Sequence, residues 1–154
     1  MTRHKLHDKG PAMYEDIYRV PLVSRNLGID PDIVDEFVSL LDIAPTVLDV
    51  AGVDIPAVYA GRSLLDIDED WRTDLVAEFH GHFFEYEQRM IREGDYKLVL
   101  NHHDTAELYD LAEDPYELTN RIGDPAYGQV TQRLYERLRD RLIGSAKVLY
   151  RSGR

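Results

Sequence analysis

Three short segments in the second half of the chain are joined by connections of only a few residues, and this spacing limits the fold more than any other feature. The first two segments are separated by Gly94-Asp95, a pair typical of tight hairpin turns. Parallel strands need a crossover of a dozen or more residues, so connections this short allow only antiparallel neighbours. The sequence therefore predicts an antiparallel meander with strands at Gln88–Arg92, Tyr96–Leu100 and Glu107–Leu111.

The region after the meander has the periodicity of one amphipathic helix. Pro125 suits a first helical position, where its missing N–H costs little. An apolar residue then recurs at every fourth position, which gives an otherwise polar helix a single apolar stripe of Val130, Leu134, Leu138 and Leu142. We therefore expect a small antiparallel sheet packed by one helix, and Leu75–Phe79 is predicted as a further strand.

The first half of the chain is predicted to be an α/β region. Asp42 is a good N-cap, Pro45 falls in the first turn of the helix that follows, and Gly52 suits the position after its end. Ahead of that helix the pattern predicts a short helix and two strands, at Ala12–Arg19, Val20–Val23 and Phe37–Leu41. We divide the chain accordingly into residues 1–70 and a C-terminal subdomain, residues 71–154, with the sheet and the last helix.

Composition and charge exclude several classes of function. With 18 Lys and Arg against 29 Asp and Glu, the formal net charge is −11, which repels phosphate backbones and anionic lipid. We therefore expect neither nucleic acid nor membrane as a partner. The chain has no Cys, which excludes disulfides, zinc-thiolate sites and a cysteine nucleophile. No apolar run approaches the ~20 residues of a membrane span and no signal peptide is evident, so a cytoplasmic location is the default expectation.

The densest group of ionisable side chains lies near the N-terminus, in His4-Lys5-Leu6-His7-Asp8-Lys9. Imidazoles and an ammonium group that converge on one point suit an anionic oxyacid, because Lys supplies a point charge with three donors and His can donate a proton. The alternative is a solvated N-terminal tail, since such spacings often arise by chance. The residues alone leave both interpretations open.

Two further groups of polar residues carry weaker signals. His80 and His82 lie on one side of a predicted strand end beside a glutamate, where they suit either a metal or a polar loop that contacts substrate. His102 and His103 fall in a predicted turn and are expected to be structural. The acidic residues between positions 110 and 117 lack the spacing of a calcium loop, so we expect them to form a solvated turn.

Five stretches of the chain follow one another in the order of a known family. They are His4–Leu22, with Lys9-Gly10-Pro11 and Met13-Tyr14-Glu15; Leu41–Gly52, with Asp42 and Pro45; Gly61-Arg62-Ser63-Leu64; Arg89–Leu98; and Glu107–Asn120, with Asp114-Pro115. Each motif is short, but five in the right order are specific, and together they cover nearly the whole chain. This arrangement resembles the C-terminal part of the sulfatases, in the alkaline phosphatase-like superfamily.

The resemblance implies hydrolysis of sulfuric esters. In the family, a formylglycine made from Cys or Ser in a Cys/Ser-x-Pro-x-Arg motif is the nucleophile. A divalent cation, usually calcium, is held by an Asp-Asp pair and a later Asp-Asn or Asp-His pair, and it neutralises the sulfate oxygens together with cationic side chains. Lys9 matches the lysine that contacts the sulfate, and His4 matches a histidine position on the same loop. His80 lies where some members bring a C-terminal side chain towards the pocket, so all three are candidate substrate contacts.

The chain departs from the family in ways that limit what it can do. It has no Cys, and none of its seven Pro has Ser two residues before it, so the nucleophile motif is absent. Both metal-ligand pairs are expected upstream of Met1, so we expect no catalytic residue, metal ligand or cofactor site in this chain. Residues 1–70 are then expected to be the remnant of the α/β catalytic domain of an alkaline phosphatase-like fold, inactive alone.

Three functional hypotheses remain. The first is the C-terminal fragment of a sulfatase, whose partner would be a sulfate-ester small molecule or glycan if the missing part is present. The second is a fragment of a related phosphonate or phosphate ester hydrolase, since these oxyanions are also tetrahedral. The third is a non-catalytic anion-binding or interaction module. A fragment without its central sheet is expected to expose apolar surface around Val20–Val23 and Val38–Leu41, with marginal solubility.

Overall fold

The structure, a computed structural model, describes His4 and residues 12–25, 33–68, 70–81 and 86–151, with side chains as far as residue 143 in the last helix. The chain divides into two compact units. The first joins Met1–Val20 to Val76–Arg154, and the second is Pro21–Leu75. The division at residue 70 that the sequence suggests stays a prediction.

A four-stranded sheet forms the centre of the first unit. Its strands, in both spatial and sequence order, are β1 (Asp74–Phe79), β2 (Gln88–Glu93), β3 (Tyr96–Asn101) and β4 (Glu107–Asp110). Strands β2 and β3 are antiparallel, as are β3 and β4. Gly94 turns the chain between β2 and β3 at φ +56°, a conformation that glycine adopts without steric cost. The meander predicted from the short connections is confirmed.

The C-terminal helix packs on one face of this sheet. Helix α3 (Gly128–Arg151) follows a short 3-10 helix at Pro125–Tyr127. Leu134 and Leu138 are fully buried, and the other two residues of the predicted stripe are partly buried beside them. Their partners are strand residues without exposed surface, Ile91, Leu98 and Leu108. Each fully buried Leu or Ile contributes roughly 1.5–3 kcal/mol, so this unit is stabilised by a core of its own.

The N-terminal segment packs on the opposite face of the sheet. Met13 is buried against Met90 and Val99, which alternate along their strands with the residues that face α3. Helix α1 follows but spans only Glu15–Tyr18, shorter than the sequence pattern predicts. The helix begins late because Tyr14, immediately before it, is extended at φ −72° and ψ 149°.

Helix α2 (Ile43–Val50) organises the second unit. It begins and ends as predicted, with Asp42 immediately before it and Gly52 after its end at φ +67°. The side chain of Asp42 does not cap α2, however. Its buried carboxylate accepts a hydrogen bond from the backbone N–H of Ser39 at 2.7 Å, within a capping box that begins a 3-10 helix at Leu40–Asp42.

Asp42 also forms a bidentate ion pair. Arg72 donates two bonds to the carboxylate at 2.6 Å each, and the backbone N–H of Arg62 adds a third at 2.8 Å. Burial by itself raises the pKa of the Asp42 carboxyl, but these bonds and that of the capping box outweigh it and hold the pKa below its ordinary value. The guanidinium groups of Arg62 and Arg72 both lie against the ring of Trp71. The indole N–H of Trp71 donates to the carbonyl of Phe37 at 2.8 Å.

A close approach of two backbone segments explains the Gly-x-Ser-Leu motif of this unit. A Cβ atom at Gly61 would clash with the backbone carbonyl of Leu41, so no larger residue fits without displacement of the chain. The Ser63 hydroxyl donates to the carboxylate of Asp49 at 2.5 Å, and the backbone N–H of Leu64 donates to a hydroxyl of α2 at 2.9 Å. The motif therefore fastens the loop to α2.

Both strands predicted in the first half of the chain are wrong. Residues 20–23 form no strand, and residues 37–39 lead into the 3-10 helix. The capping box between Ser39 and Asp42 turns the chain at that point. An apolar run becomes a strand only when a neighbour completes its hydrogen bonds, and the described residues around these runs offer none.

The second unit exposes much of its apolar surface. Val23 is 91% exposed, Ile33 86% and Val58 84%. Further exposed apolar side chains of the unit are Leu22, Val34, Leu40, Leu41, Ile43, Val47, Val50, Val53, Ile55 and Tyr59. The exposure expected around Val20–Val23 and Val38–Leu41 is confirmed, although Val38 itself is only partly exposed.

Candidate functional site

His4, one of the three candidate substrate contacts, lies against an aromatic ring. Its imidazole stacks on Tyr14, with ring centroids 3.6 Å apart and ring planes inclined by 6°. Lys9 lies outside the described residues, so its contact with an anion stays a prediction. His80 follows the end of β1. The structure therefore shows the surroundings of two of the three predicted residues.

Tyr14 is held in turn by the sheet. Its ring meets the buried Tyr109 edge-on at a centroid separation of 6.3 Å. The Tyr109 hydroxyl donates to the carboxylate of Glu107 at 2.7 Å. Tyr14 is thus connected to Glu107 through Tyr109, first by a ring contact and then by a hydrogen bond, and we call this arrangement the tyrosine relay.

Both tyrosines of this relay are neutral phenols. Burial raises the pKa of Tyr14, and the nearby Glu107 carboxylate raises it further. Burial also raises the pKa of Tyr109 far above its ordinary value, and the hydrogen bond that it donates to Glu107 adds to the rise. The ring beneath His4 therefore carries no charge.

The carboxylate of Glu107 connects the relay to the neighbouring strands. The side-chain amide of Asn101 donates to it at 2.8 Å. The amide oxygen of Asn101 accepts one bond from Gln88 at 2.7 Å and one from the hydroxyl of Tyr86 at 3.2 Å. Gln88 and Asn101 are paired residues of β2 and β3, so the strand pairing fixes the far end of the network.

A buried charge cluster fixes the segment that carries Tyr14. Lys97, which has no exposed surface, lies 2.5 Å from the carboxylate of Glu117 and 3.2 Å from that of Glu15. Arg92 pairs with the other oxygen of Glu15 at 2.6 Å. The backbone N–H of Glu15 also donates to Glu117 at 2.7 Å. Two positive and two negative groups balance one another, as buried charges must.

The sequence analysis did not predict this charge cluster. The prediction that the acidic residues between positions 110 and 117 form a solvated turn is wrong for Glu117. Glu117 is 3% exposed and adopts φ +56°, so it is a buried partner of Lys97 and not a residue of a solvated turn. The signal lay in the alternation of β3, which places Lys97 on the same face as the apolar Val99. A lysine on a covered face requires a carboxylate partner, and Glu15 and Glu117 provide two.

His80 has separate, acidic surroundings. Its Nε2 lies 2.9 Å from Glu78 and its Nδ1 lies 3.9 Å from Glu87, with 59% of the side chain exposed. Among the contacts of the described residues, none joins His80 to His4. His82 lies outside the described part of the chain.

The described residues do not fit a metal ion. Within the ranges given above, no three His, Asp or Glu side chains converge as ligands, so the divalent cation that the resemblance implies has no fitting site among them. His102 and His103 lie in an exposed turn with ring centroids 3.7 Å apart, as the sequence predicts. No helix in the described part of the chain is long and apolar enough to span a membrane.

The chemistry available to the described residues is the binding of an anion. His4 can donate a hydrogen bond to an oxyanion, and the stack on Tyr14 restricts the plane of its ring. The sequence has neither Cys nor a Ser-x-Pro motif, so it supplies no nucleophile of the kind that the family uses. The described candidate residues therefore supply a hydrogen-bond donor for an anion but no nucleophile of that kind.

Comparison with known proteins identifies a family along nearly the whole chain. A family model described as N-sulphoglucosamine sulphohydrolase, C-terminal, matches residues 2–143. YidJ of Escherichia coli K12, an uncharacterised sulfatase, is 34% identical over 147 residues, which make up 91% of this chain and 29% of YidJ. The chain thus spans less than a third of the length of this relative.

Solved structures show the same likeness. BT4656, in complex with its substrate D-glucosamine-2-N,6-O-disulfate, matches at a TM-score of 0.60 and 31% identity, over 64% of this chain and 22% of that chain. The phosphonate monoester hydrolase of Agrobacterium radiobacter matches at 0.61 and 28% identity, over 70% of this chain and 26% of that chain. The predicted fold class, the C-terminal part of an alkaline phosphatase-like fold with an antiparallel sheet and a C-terminal helix, is confirmed.

Proposed function

Because this chain belongs to the sulfatase family, as its C-terminal part, we propose that it completes an enzyme that hydrolyses sulfate esters. The chain lacks the nucleophile motif, so it acts together with an N-terminal part that supplies the nucleophile. The family's divalent cation neutralises charge on the sulfate when bound. We assign its ligands to that N-terminal part, because the described residues of this chain do not fit it.

The exposed apolar surface of Pro21–Leu75 is the observation that carries this proposal. The unit has an ordered helix and a buried Asp42–Arg72 ion pair, yet it leaves Val23, Ile33 and Val58 almost entirely in solvent. A soluble protein rarely exposes so many large apolar side chains without a partner. The remainder of a catalytic domain would bury them, at a gain of about 25 cal/mol for each Å² removed from water.

Lys9 and His4 are the proposed sulfate contacts of this chain. The ammonium group of Lys9 supplies positive charge where the sulfate oxygens become more negative, and His4 donates a hydrogen bond from a ring held by Tyr14. His80 is the third proposed contact. Its two carboxylate neighbours, Glu78 and Glu87, repel an anion, so we assign it to an uncharged group of the substrate, such as a hydroxyl.

The proposed substrate is a sulfated sugar. The substrate of BT4656 is a disulfated glucosamine, and the matching family model is described by an enzyme of sulfated glucosamine. A sulfated sugar presents at least one anionic group and several hydroxyls, which suit Lys9 and His4 on the one hand and His80 on the other. The length of glycan that fits is set by walls outside this chain.

A chimera of YidJ tests the proposal. The region of YidJ that matches this chain would be replaced by the chain, and hydrolysis of 4-nitrophenyl sulfate would be compared with intact YidJ. We expect activity in the chimera and a loss of about 10²–10³-fold in kcat for Lys9→Ala, as when one stabilising group is removed from a transition state. Lys5→Ala is the matched control and should leave kcat within a factor of about three. A folded chimera that binds calcium but hydrolyses no sulfate ester would contradict the proposal.

A second candidate is the hydrolysis of phosphonate or phosphate esters. The likeness to phosphonate monoester hydrolase, at a TM-score of 0.61, favours it. Both kinds of ester present a tetrahedral oxyanion, so Lys9 and His4 do not distinguish them. The ratio of kcat/KM for an aryl sulfate and an aryl phosphonate, measured on the same chimera, decides between the two. Anion binding without hydrolysis of either ester would favour a non-catalytic module.

A further inference from the structure

We infer that Tyr14 is a positioning residue for His4, and that the tyrosine relay from Tyr14 through Tyr109 to Glu107 holds this platform in place. The inference rests on the proposed function in one respect, namely that His4 contacts the sulfate. The juxtaposition of the His4 and Tyr14 rings does not depend on that proposal, and it can be measured separately.

The parallel stack restricts the directions in which His4 can donate a hydrogen bond. Ring centroids 3.6 Å apart and planes inclined by 6° place the whole imidazole in van der Waals contact with the phenol. The N–H bonds of an imidazole lie in the plane of its ring. A ring fixed parallel to Tyr14 therefore donates only in that plane, which orients it before the anion arrives and lowers the entropy lost on binding.

The ring of Tyr109 supports this platform from the side. It meets the Tyr14 ring edge-on, and its hydroxyl donates to Glu107 at 2.7 Å. The second oxygen of Glu107 accepts from Asn101 at 2.8 Å, so the carboxylate is held from both sides. Displacement of the Tyr14 ring would break its contact with Tyr109, the first member of a network that the strand pairing fixes at its other end.

The backbone on either side of Tyr14 is also restrained. The Tyr14 carbonyl accepts from the N–H groups of Ile17 and Tyr18 at 2.9 and 3.0 Å. The next residue, Glu15, enters the buried charge cluster with Lys97. The platform is therefore fixed at its main chain and by the ring of Tyr109. Through Tyr14, the C-terminal sheet helps to position His4, the proposed sulfate contact, although it carries no nucleophile of the family's kind.

The His4 imidazole resonances of the whole 154-residue chain report on the stack. His4→Gln assigns the resonances among the six histidines of the chain. In the wild type we expect the His4 ring protons to be shifted upfield by the ring current of Tyr14. Tyr14→Leu should abolish this shift, and Tyr14→Phe should retain part of it. Tyr18→Leu, at the end of the helix that follows Tyr14, is the matched control and should leave the shift unchanged.

Titration with sodium sulfate then measures the consequence for binding, again at the His4 resonances. We expect Tyr14→Leu to raise the Kd for sulfate by up to about tenfold, the loss expected when one side chain must be immobilised on binding. Tyr109→Phe keeps both tyrosine rings but removes the hydrogen bond that holds Tyr109 to Glu107, so it should raise the Kd by about half of that factor. Tyr18→Leu should leave the Kd unchanged.

The possible results separate the positioning of His4 by Tyr14 from the proposed contact of His4 with sulfate. Positioning by Tyr14 is overturned if the His4 shift survives Tyr14→Leu in a chain with a wild-type circular dichroism spectrum. If Tyr14→Leu does not fold, Tyr109→Phe decides, since an unchanged His4 shift in that variant overturns the relay. If the stack is confirmed but sulfate moves no His4 resonance in any variant, the inference about Tyr14 stands and the proposed sulfate contact of His4 fails.

Discussion

The sheet and helix of the first unit bury their apolar residues against one another, whereas Pro21–Leu75 leaves many of its own in solvent. Ile91 and Leu134 have no exposed surface, but Val23 and Ile33 are almost wholly exposed. Both units contain regular helices and buried ion pairs, so local order does not separate them. The difference is the number of layers. The sheet is covered on both faces, while the described residues of the second unit offer α2 no sheet to pack on.

This comparison shows that a segment can have settled local structure without the burial that stabilises a domain. The capping box at Ser39 and the Asp42–Arg72 pair define the path of the chain in the second unit. Hydrophobic burial is the dominant favourable term in folding, and this unit lacks much of it. This exposure supports the proposal that an N-terminal part of the enzyme buries the surface of the second unit.

The largest expected effect comes from breaking the charge cluster of the first unit. Lys97→Met leaves Glu15 and Glu117 buried without their ammonium partner, and we expect a loss of about 3–5 kcal/mol in the free energy of unfolding. Urea unfolding followed by far-UV circular dichroism measures it. Arg133→Met is the control, because its exposed pair with Glu93 should contribute less than about 1 kcal/mol. Equal losses in both variants would contradict the account.

The next largest difference is expected between two leucine substitutions, one in each unit, in the free energy of unfolding. Leu138→Ala empties a position in the core of the first unit and should cost about 2–5 kcal/mol. Leu41→Ala, in the exposed surface of the second unit, should change the free energy of unfolding by no more than about 0.5 kcal/mol in the isolated chain. Urea unfolding of both variants gives the two values. A large loss for Leu41→Ala would mean that the isolated chain already buries this surface.

A smaller effect is expected at the close backbone approach of the second unit. Gly61→Ala forces a methyl group against the carbonyl of Leu41, at a cost of about 1–3 kcal/mol. The single tryptophan, Trp71, belongs to this unit, so its fluorescence during urea unfolding reports the loss. Gly123→Ala is the matched control, because a Cβ there meets nothing within 4 Å. The prediction fails if the two substitutions shift the Trp71 transition equally.

The smallest effect is the pH dependence of the second unit. The hydrogen bonds to Asp42 hold its pKa in the folded chain below the unfolded value, so its contribution to stability is complete above about pH 4 and is lost as the pH falls through the folded pKa. The Trp71 transition should therefore move to lower urea concentration below about pH 4. Asp42→Asn should remove this part of the pH dependence, and Asp54→Asn, at an exposed position, should retain it. An identical acid response in wild type and Asp42→Asn would exclude this role.

The sequence predicted the hairpin and the last helix correctly, because both depend on patterns between residues that are close along the chain. The short connection at Gly94 predicted the hairpin, and the stripe with Leu134 and Leu138 predicted the helix and the face that it buries. The strands predicted at residues 20–23 and 37–41 were wrong, because apolar runs need partner strands that no local pattern reveals. Asp42 lies immediately before α2, as predicted, but its side chain does not cap the helix. It pairs instead with Arg72, 30 residues away, which no local pattern indicates.

The site was predictable only where its residues are adjacent in the sequence. The cluster around His4 stands out because its ionisable groups follow one another. The relay from Tyr14 to Glu107 joins residues 93 to 95 positions apart, and no local pattern indicates it. Only the folded sheet, with Gln88 and Asn101 in register, brings those side chains together.

Amide hydrogen exchange on the isolated chain compares the local stability of the two units. We expect two classes of protection, slow exchange in β2 to β4 and the start of α3, and exchange at least about a hundredfold faster in Pro21–Leu75, where little apolar surface is buried. Replacement of the matching region of YidJ by this chain should slow exchange in Pro21–Leu75 and leave the sheet unchanged. Equal protection of the two units in the isolated chain would contradict the claim that the second unit needs a further part of the protein for its stability.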